Sequence, residues 1–456
     1  MTAAFPHLVP PRREPPAGEL PLLAYLRSIG RNGLLGFPRR AFEEPVTRRG
    51  LLGRTSFILN DPEAIRRVLV DNQGNYARTA ATRRILRPIL GEGLLISEGA
   101  AWRHQRRTLA PAFTPRAIDG LVQHIDRAVT DGIAALGGEA AAGPVDLFAV
   151  FHRLALEIAG RSMFSVSMDR HGPELRRFIV AYGARIGRPH LLDLLVPPGW
   201  PVPLDPPRAR FRRRWIPFLD TIIAARAAEP ATDGRGDLLD LLAAARNPET
   251  GAAFTAEELR DQVATMILAG HETTAGTLFW ASYLLALAPQ LQERVAAESQ
   301  GADLADPTGC HADGRLPLTR AVVDETLRLY PAAFVIVRRA LGPDAIPGHA
   351  IARNDVVIVS PWVLHRHRGL WRDPDAFDPS RFLPDASPPP RFAYLPFGAG
   401  PRVCIGAQFA RTEAVLALAR LAAAFRIDLV DSAQVLPLAV VTTQPDRPVH
   451  FRLTQR

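Results

Sequence analysis

The sequence predicts a mainly α chain with small sheets, an α+β arrangement dominated by helix. Three observations carry that reading. Residues 255–287 form the longest stretch at helical spacing, opened by Thr255 and Glu258 as a capping box. Between 99 and 246, helix-like and loop-like stretches alternate. The β-like pieces are short and mostly late, at 335–341, at 356–360 and, with turns, over 435–449.

Taken in order, residues 1–18 are proline-rich, are broken by Arg12, Arg13 and Glu14, and read as a tail. Residues 19–456 read as one domain, because no linker or repeat period divides them. Residues 20–29 are apolar at helical spacing and 53–59 read as a strand. Asn60, Asp61 and Pro62 then cap a helix running to about residue 70. Mixed signals over 76–98 suggest an irregular loop. Helix resumes at Gly99, and another begins at Thr114-Pro115. Residues 189–206 are apolar and hold six prolines, which forbids a regular helix and predicts an exposed apolar loop, a lid or a lipid-facing edge. At 1.5 Å per residue the 255–287 helix spans roughly 50 Å and must run through the core. A helix at 316–329, a proline-punctuated coil at 372–396 and a helix at 407–425 follow.

Composition excludes several classes. Hydrophobic residues make up 47% of the 456 and mean hydropathy is +0.01, as in a globular chain. Two cysteines, Cys310 and Cys404, offer no disulfide framework and fit a reducing, cytoplasmic setting. The net charge is +9, yet all 55 basic residues are arginine, which with abundant Ala, Pro and Gly reflects GC-rich coding. No basic stripe interleaved with aromatics suggests nucleic acid. The first residues lack the apolar run of a signal peptide, and no window is apolar for long enough to serve as a transmembrane anchor.

One stretch, Phe397-Gly398-Ala399-Gly400-Pro401-Arg402-Val403-Cys404-Ile405-Gly406, reads as a cage around one sulfur. Gly398 and Gly400 permit tight turns, and Gly406 permits close approach to something large and flat. Cys404 lies just ahead of a helix N-terminus, whose amides and dipole favour a thiolate. Within the long helix stands Ala269-Gly270-His271-Glu272-Thr273-Thr274. A mid-helix glycine costs about 1 kcal/mol, so it needs a reason: a bulky flat ligand against the backbone, or a local opening of the helix. A carboxyl beside a hydroxyl suits proton transfer. His271 reads as an ordinary helix-face residue. Glu325 and Arg328 lie one helical turn apart, as do Trp102 and Arg106.

In this order, from Trp102 to Gly406, these stretches resemble the cytochrome P450 family of haem-thiolate monooxygenases, in its soluble bacterial form. The resemblance implies a triangular, large helical domain with a small β-rich lobe, and haem b buried between the long helix and the helix after Cys404. It implies Cys404 as the iron ligand, shielded by Phe397. Trp102, Arg106, Arg402 and Arg338 would hold the haem propionates, with Arg339 an alternative to Arg338 because neighbouring residues do not settle the register. Ala269, Gly270 and Gly406 would lie against the ring. Thr273 would hydrogen-bond the oxygen being activated while Glu272 feeds protons. Glu325, Arg328 and Arg381 would form a structural triad beneath the haem.

The same resemblance implies O2 as co-substrate and electrons from NAD(P)H through a separate ferredoxin reductase and ferredoxin. The ferredoxin would meet Arg103, Arg107, Arg372 and Arg411. A lipophilic small molecule would be hydroxylated or epoxidised by a monomer, in a pocket lined by Leu94, Leu95, Ile96, Ile267, Ala269, Ala332, Phe334 and Val335. Peroxygenase, isomerase or dehydratase chemistry on the same scaffold, or non-enzymatic haem sensing, are the alternatives. The intact Glu272-Thr273 pair argues against the peroxide-driven branch.

Overall fold

Helix starts follow their capping residues. Asp61 accepts the Ala64 N–H with Pro62 in the first turn, and Thr114 accepts the Ala117 N–H. Thr255 and Glu258 complete a reciprocal box that opens the helix Ala256–Leu287. The computed structural model describes residues 7–51, 54–164, 168, 171–188, 190, 192–193, 196, 199–228, 237–302, 304 and 314–456. Cys310 lies outside them, as do positions 189, 191, 194–195 and 197–198 of the proline-rich segment. In the rest of that segment Trp200 is 68% exposed, while Val202 and Asp193 are buried.

The long helix is buried along most of its length and packs against Leu147–Phe164, Ala407–Ala424 and Pro317–Leu329. A five-stranded sheet runs in the order Val46–Leu51, Arg54–Leu59, Val356–Val359, Ile336–Ala340, Tyr76–Ala77. Its neighbours are antiparallel except Arg54–Leu59 with Val356–Val359. Val145–Asp146, His450–Gln455 and Phe425–Leu429 form a second sheet. The larger apolar core lies among the helices and a smaller one under the first sheet.

One expectation about the fold needs correction. The 76–98 stretch is no irregular loop: Ala80–Leu90 is a helix capped by Thr79, with Ile85, Ile89 and Leu90 buried. Pro88 and three arginines mask it in the sequence, and packing overrides them. The Trp215 indole donates to the Ile89 carbonyl at 2.8 Å, and the Tyr182 hydroxyl donates to that of Ile85. From residue 7 on, the N-terminal tail is tied to the rest of the chain. Arg12 pairs with Asp375 and Arg13 with Asp446, both at 2.7 Å, and Tyr330 donates to the Pro11 carbonyl at 2.8 Å.

Glu325 and Arg328 are both fully buried and bidentate, at 2.6 and 2.7 Å. Glu325 also accepts the Asp378 N–H at 2.8 Å, and Arg381 stands 3.6 Å away. Arg328 spends its remaining donors on the carbonyls of His365, Pro374 and Ala376. Removing one member of a buried pair strands the other's charge. Arg328→Met is therefore expected to cost roughly 3–5 kcal/mol in urea unfolding. Arg381→Met, at longer range and nearer solvent, is expected to cost about 1 kcal/mol or less. Similar costs for the two would show that Arg381 shares the lock equally.

Candidate active site

Gly398 and Gly400 take φ of +74° and +71°, where only glycine is unstrained. At Gly400 the constraint is double, because a Cβ would run into the Leu69 carbonyl. The turn they make brings the Cys404 N–H to the Phe397 carbonyl at 2.9 Å, one residue cluster ahead of the helix Ala407–Ala424. Cys404 is exposed on one side, yet crowded enough that burial pushes its thiol up. The Gly406 N–H and the Arg106 charge pull it down.

On the long helix, Ala269 is exposed and Gly270 and Thr273 half-buried, a gap in an otherwise buried surface. The backbone stays helical through Gly270, so local opening is not its reason. A Cβ at Gly270 would meet only Met163 at an ordinary 3.7 Å, so no protein neighbour demands glycine there either. The exposed stretch of helix beside Ala269 is the feature that remains. Thr273 donates to the Ala269 carbonyl at 2.6 Å. Burial pushes the Glu272 carboxyl up, and the Thr442 hydroxyl donates to it at 3.3 Å.

His271 is not a helix-face residue. It is buried, with Nε2 2.9 Å from His152 Nδ1 on the helix Leu147–Phe164. Burial first, then mutual repulsion with His152, holds it down to about 3, so it is neutral. Thr274 donates to Glu413 at 3.1 Å, joining the long helix to the helix after Cys404. Sequence reasoning missed Thr442, His152 and Glu413, each more than a hundred residues from its partner.

A cationic cluster lies beside the cysteine loop. The Arg402 guanidinium stacks 4.3 Å over Trp102, donates to the Ser97 carbonyl at 3.1 Å and pairs with Glu98. Arg78 pairs with the same Glu98 at 3.3 Å. Arg338 is pushed down to about 9 by burial and by the nearby Arg78 and Arg402. Arg339 faces elsewhere and donates to Asn354 at 2.7 Å, which settles the register of the strand. Arg78 and Arg402 thus share one carboxylate, with the Arg338 guanidinium close by. That surplus suits a ligand carrying two acid groups, and Arg106 stands nearer the sulfur.

The expected pocket residues divide. Leu94, Ile96, Ile267, Ala332 and Phe334 are buried in the core; Ile96 shows 0% and Ile267 1% exposure. Leu95 and Ala269 are exposed and Val335 half-buried. Of the outward arginines, Arg107 pairs with Glu249 and Arg411 with Asp324, while Arg103 and Arg372 are exposed. Among the described residues no helix is long and apolar enough to cross a membrane.

The family model described as Cytochrome P450 matches residues 15–448. Cyclooctatin synthase of Streptomyces melanosporofaciens is 32% identical over 436 residues, covering 92% of this chain and 91% of the relative. Cyclooctat-9-en-7-ol 5-monooxygenase of the same organism is 30% identical over 419 residues, covering 90% and 88%. The crystal structure of the cytochrome P450DA heme domain shares the fold at a TM-score of 0.78 and 26% identity, covering 96% of this chain and 94% of that one. The chain belongs to the cytochrome P450 family, oxidoreductases that work with a thiolate-held haem, O2 and electrons drawn indirectly from NAD(P)H.

Proposed function

We propose that the chain is a monooxygenase that places one oxygen atom from O2 into a lipophilic organic substrate, by hydroxylation or epoxidation. The observation that carries this is the open sulfur of Cys404 between Arg106 and a cluster of three arginines with one carboxylate. When bound, haem supplies the oxygen chemistry, and a thiolate ligand favours O–O cleavage. Cys404 would supply that ligand. Trp102, Arg106, Arg338 and Arg402 would hold the acid groups, and Gly270 and Gly406 would leave room for the ring. A cytoplasmic setting fits, because Cys404 must stay reduced.

Thr273 and Glu272 would manage protons. Burial makes the Glu272 carboxyl hold its proton to higher pH than an ordinary carboxyl, so it can donate where a surface glutamate could not. The Thr273 hydroxyl, bonded back to its own helix, is released by one rotation about χ1. Apolar Leu95, Ala269 and Val335 support a lipophilic substrate, as does the relative named for cyclooctat-9-en-7-ol. Labelled O2 appearing in product, with no requirement for peroxide, tests the reaction class; a screen for substrates that shift the haem Soret band comes first.

We further propose an acidic ferredoxin as electron donor, steered by the +9 chain to the face bearing Arg103 and Arg372. Arg107 and Arg411 already hold acidic partners, so Arg103 is the cleaner probe.

Three outcomes follow from this reading. Cys404→Ala should lose the strongly red-shifted Soret band of the reduced, CO-treated protein, while Cys310→Ala keeps it; the reverse pattern removes Cys404 as the ligand. Thr273→Ala should retain haem and substrate binding but divert reducing equivalents to peroxide, lowering product per NAD(P)H; unchanged coupling removes Thr273 from the reaction. Arg103→Glu should slow reduction by ferredoxin without altering the CO spectrum, and the wild-type rate should fall as salt rises, since the Debye length is about 8 Å at physiological ionic strength. Indifference to both charge and salt would move the docking site elsewhere.

A further inference from the structure

Asp261 is a buried carboxylate on the long helix that takes no part in the proton chemistry proposed for Glu272 and Thr273. Its Oδ2 accepts the Glu92 N–H at 2.8 Å, and the next side chain, Gln262, accepts the Leu94 N–H at 3.0 Å. Two consecutive residues of one helix thus hold alternate amides of the turn that follows the helix Ala80–Leu90. The fit is tight. Gly91 has a φ of +61°, and a Cβ there would run into the Asp261 carboxylate. A Cβ at Gly93 would run into the Thr265 hydroxyl and the Asp261 carbonyl. On its other side the turn is held by the helix Gly99–Leu109: Gln105 donates to the Glu92 carbonyl at 2.9 Å and accepts the Ser97 hydroxyl at 2.8 Å. Arg212, on the helix Asp205–Ala228, stands 3.8 Å from the same Asp261 carboxylate. Within the fastened turn Leu94 and Ile96 are buried, while Leu95 between them is 39% exposed. Gln262 holds its place at a cost, since its buried Nε2 has no hydrogen-bond partner among the described residues.

We propose that Asp261 and Gln262 are positioning residues for the substrate: they pin the 91–97 turn so that Leu95 offers a preset apolar surface, and so set how tightly a lipophilic molecule is held. The proposal deepens the lipophilic-monooxygenase reading and rests on it. Neither residue needs to touch the substrate. A turn pinned in advance loses little further freedom when an apolar group settles against it, so the contact is realised in full. A released turn has to be ordered by the ligand, and that ordering weakens binding. The hydrogen bond rather than the charge carries the effect, because a neutral amide at position 261 still offers an oxygen to the Glu92 N–H.

The probes are imidazole and 1-decylimidazole, which both bind haem iron through nitrogen and shift the Soret band; only the second carries an apolar tail. In the purified holoprotein, the Kd of imidazole divided by that of decylimidazole isolates what the tail contributes. Asp261→Ala should shrink this ratio roughly three- to tenfold, the scale of one lost hydrogen bond with the ordering it spared. Imidazole affinity and the reduced, CO-treated spectrum should stay as in wild type. Asp261→Asn should keep the ratio within about twofold. Gly93→Ala, which pushes the turn off the helix without touching either clamping side chain, should match Asp261→Ala and serves if that variant does not fold. Hydrogen exchange read by mass spectrometry should show the 91–97 amides exchanging faster in Asp261→Ala and Gly93→Ala than in wild type. Amides that stay protected overturn the clamp, and freed amides with an unchanged ratio overturn the positioning role. Asp261→Asn as weak as Asp261→Ala overturns the proposal by assigning the effect to charge. A wild-type protein that binds imidazole but gains nothing from the decyl tail sinks the lipophilic reading, and this proposal with it. One that lacks the thiolate-type band sinks the haem-thiolate reading as well.

Discussion

The position of the Cys404 sulfur depends on the buried Glu325–Arg328 ion pair, some eighty residues upstream. A chain of hydrogen bonds runs between them. Arg328 gathers the carbonyls of His365, Pro374 and Ala376, pinning the coil to the helix Pro317–Leu329. The His365 ring continues the chain: its Nε2 accepts the Leu395 N–H at 2.8 Å, so the proton sits on Nδ1, 3.2 Å from the Arg328 carbonyl. Burial first, then Arg328, holds this imidazole down to about 3, so the tautomer is fixed. The Leu395 carbonyl then accepts from Gly398 at 3.1 Å, and the Phe397 carbonyl from Cys404 at 2.9 Å. A buried ion pair adds little net stability compared with apolar packing. Its contribution here is geometric: fixed donors that place a loop made of glycine and proline.

Charge is segregated around the site. On the arginine side, three cations are crowded and Arg402 is pushed down to about 10, chiefly by burial. On the long-helix side, the acidic groups are pushed toward their neutral forms. Burial raises Glu272, and it raises Glu413 to about 8 against the pull of the Thr274 hydroxyl. Carboxyls that burial pushes upward lie on the long-helix side, and the crowded cations lie on the other. A fold that buried those carboxylates ionised would lose that contrast in potential across the site.

The sequence showed most of this where the chemistry is local. Helix starts were legible because a cap and its first turn are contiguous, as at Asp61, Thr114 and Thr255. The cysteine loop was legible because Gly398, Gly400 and Cys404 must be neighbours in the chain to make that turn. Pairings across the fold were not legible. Glu272 meets Thr442, Thr274 meets Glu413, His271 meets His152 and Glu98 meets Arg402, and nothing local in either partner marks the other. The helix Ala80–Leu90 failed for a related reason, since Trp215 and Tyr182 support it from far along the chain. Arg338 and Arg339 could be told apart only by strand register, Arg338 lying opposite Val357 and Arg339 opposite Val356.

The same distinction explains why the reaction class is legible and the substrate is not. Holding iron, acid groups and protons takes directional interactions, each with a narrow choice of residue type. Few side chains other than arginine meet a carboxylate with a planar fork, and nothing but glycine fits beside the Leu69 carbonyl at position 400. Recognising a lipophilic substrate takes apolar surface, and that attraction has no direction. If Leu95, Ala269 and Val335 line the substrate space as proposed, each could be another apolar residue of similar size without changing the class of molecule bound. The substrate is therefore written in the volume and outline of the open space, a property of many residues together and of no single motif.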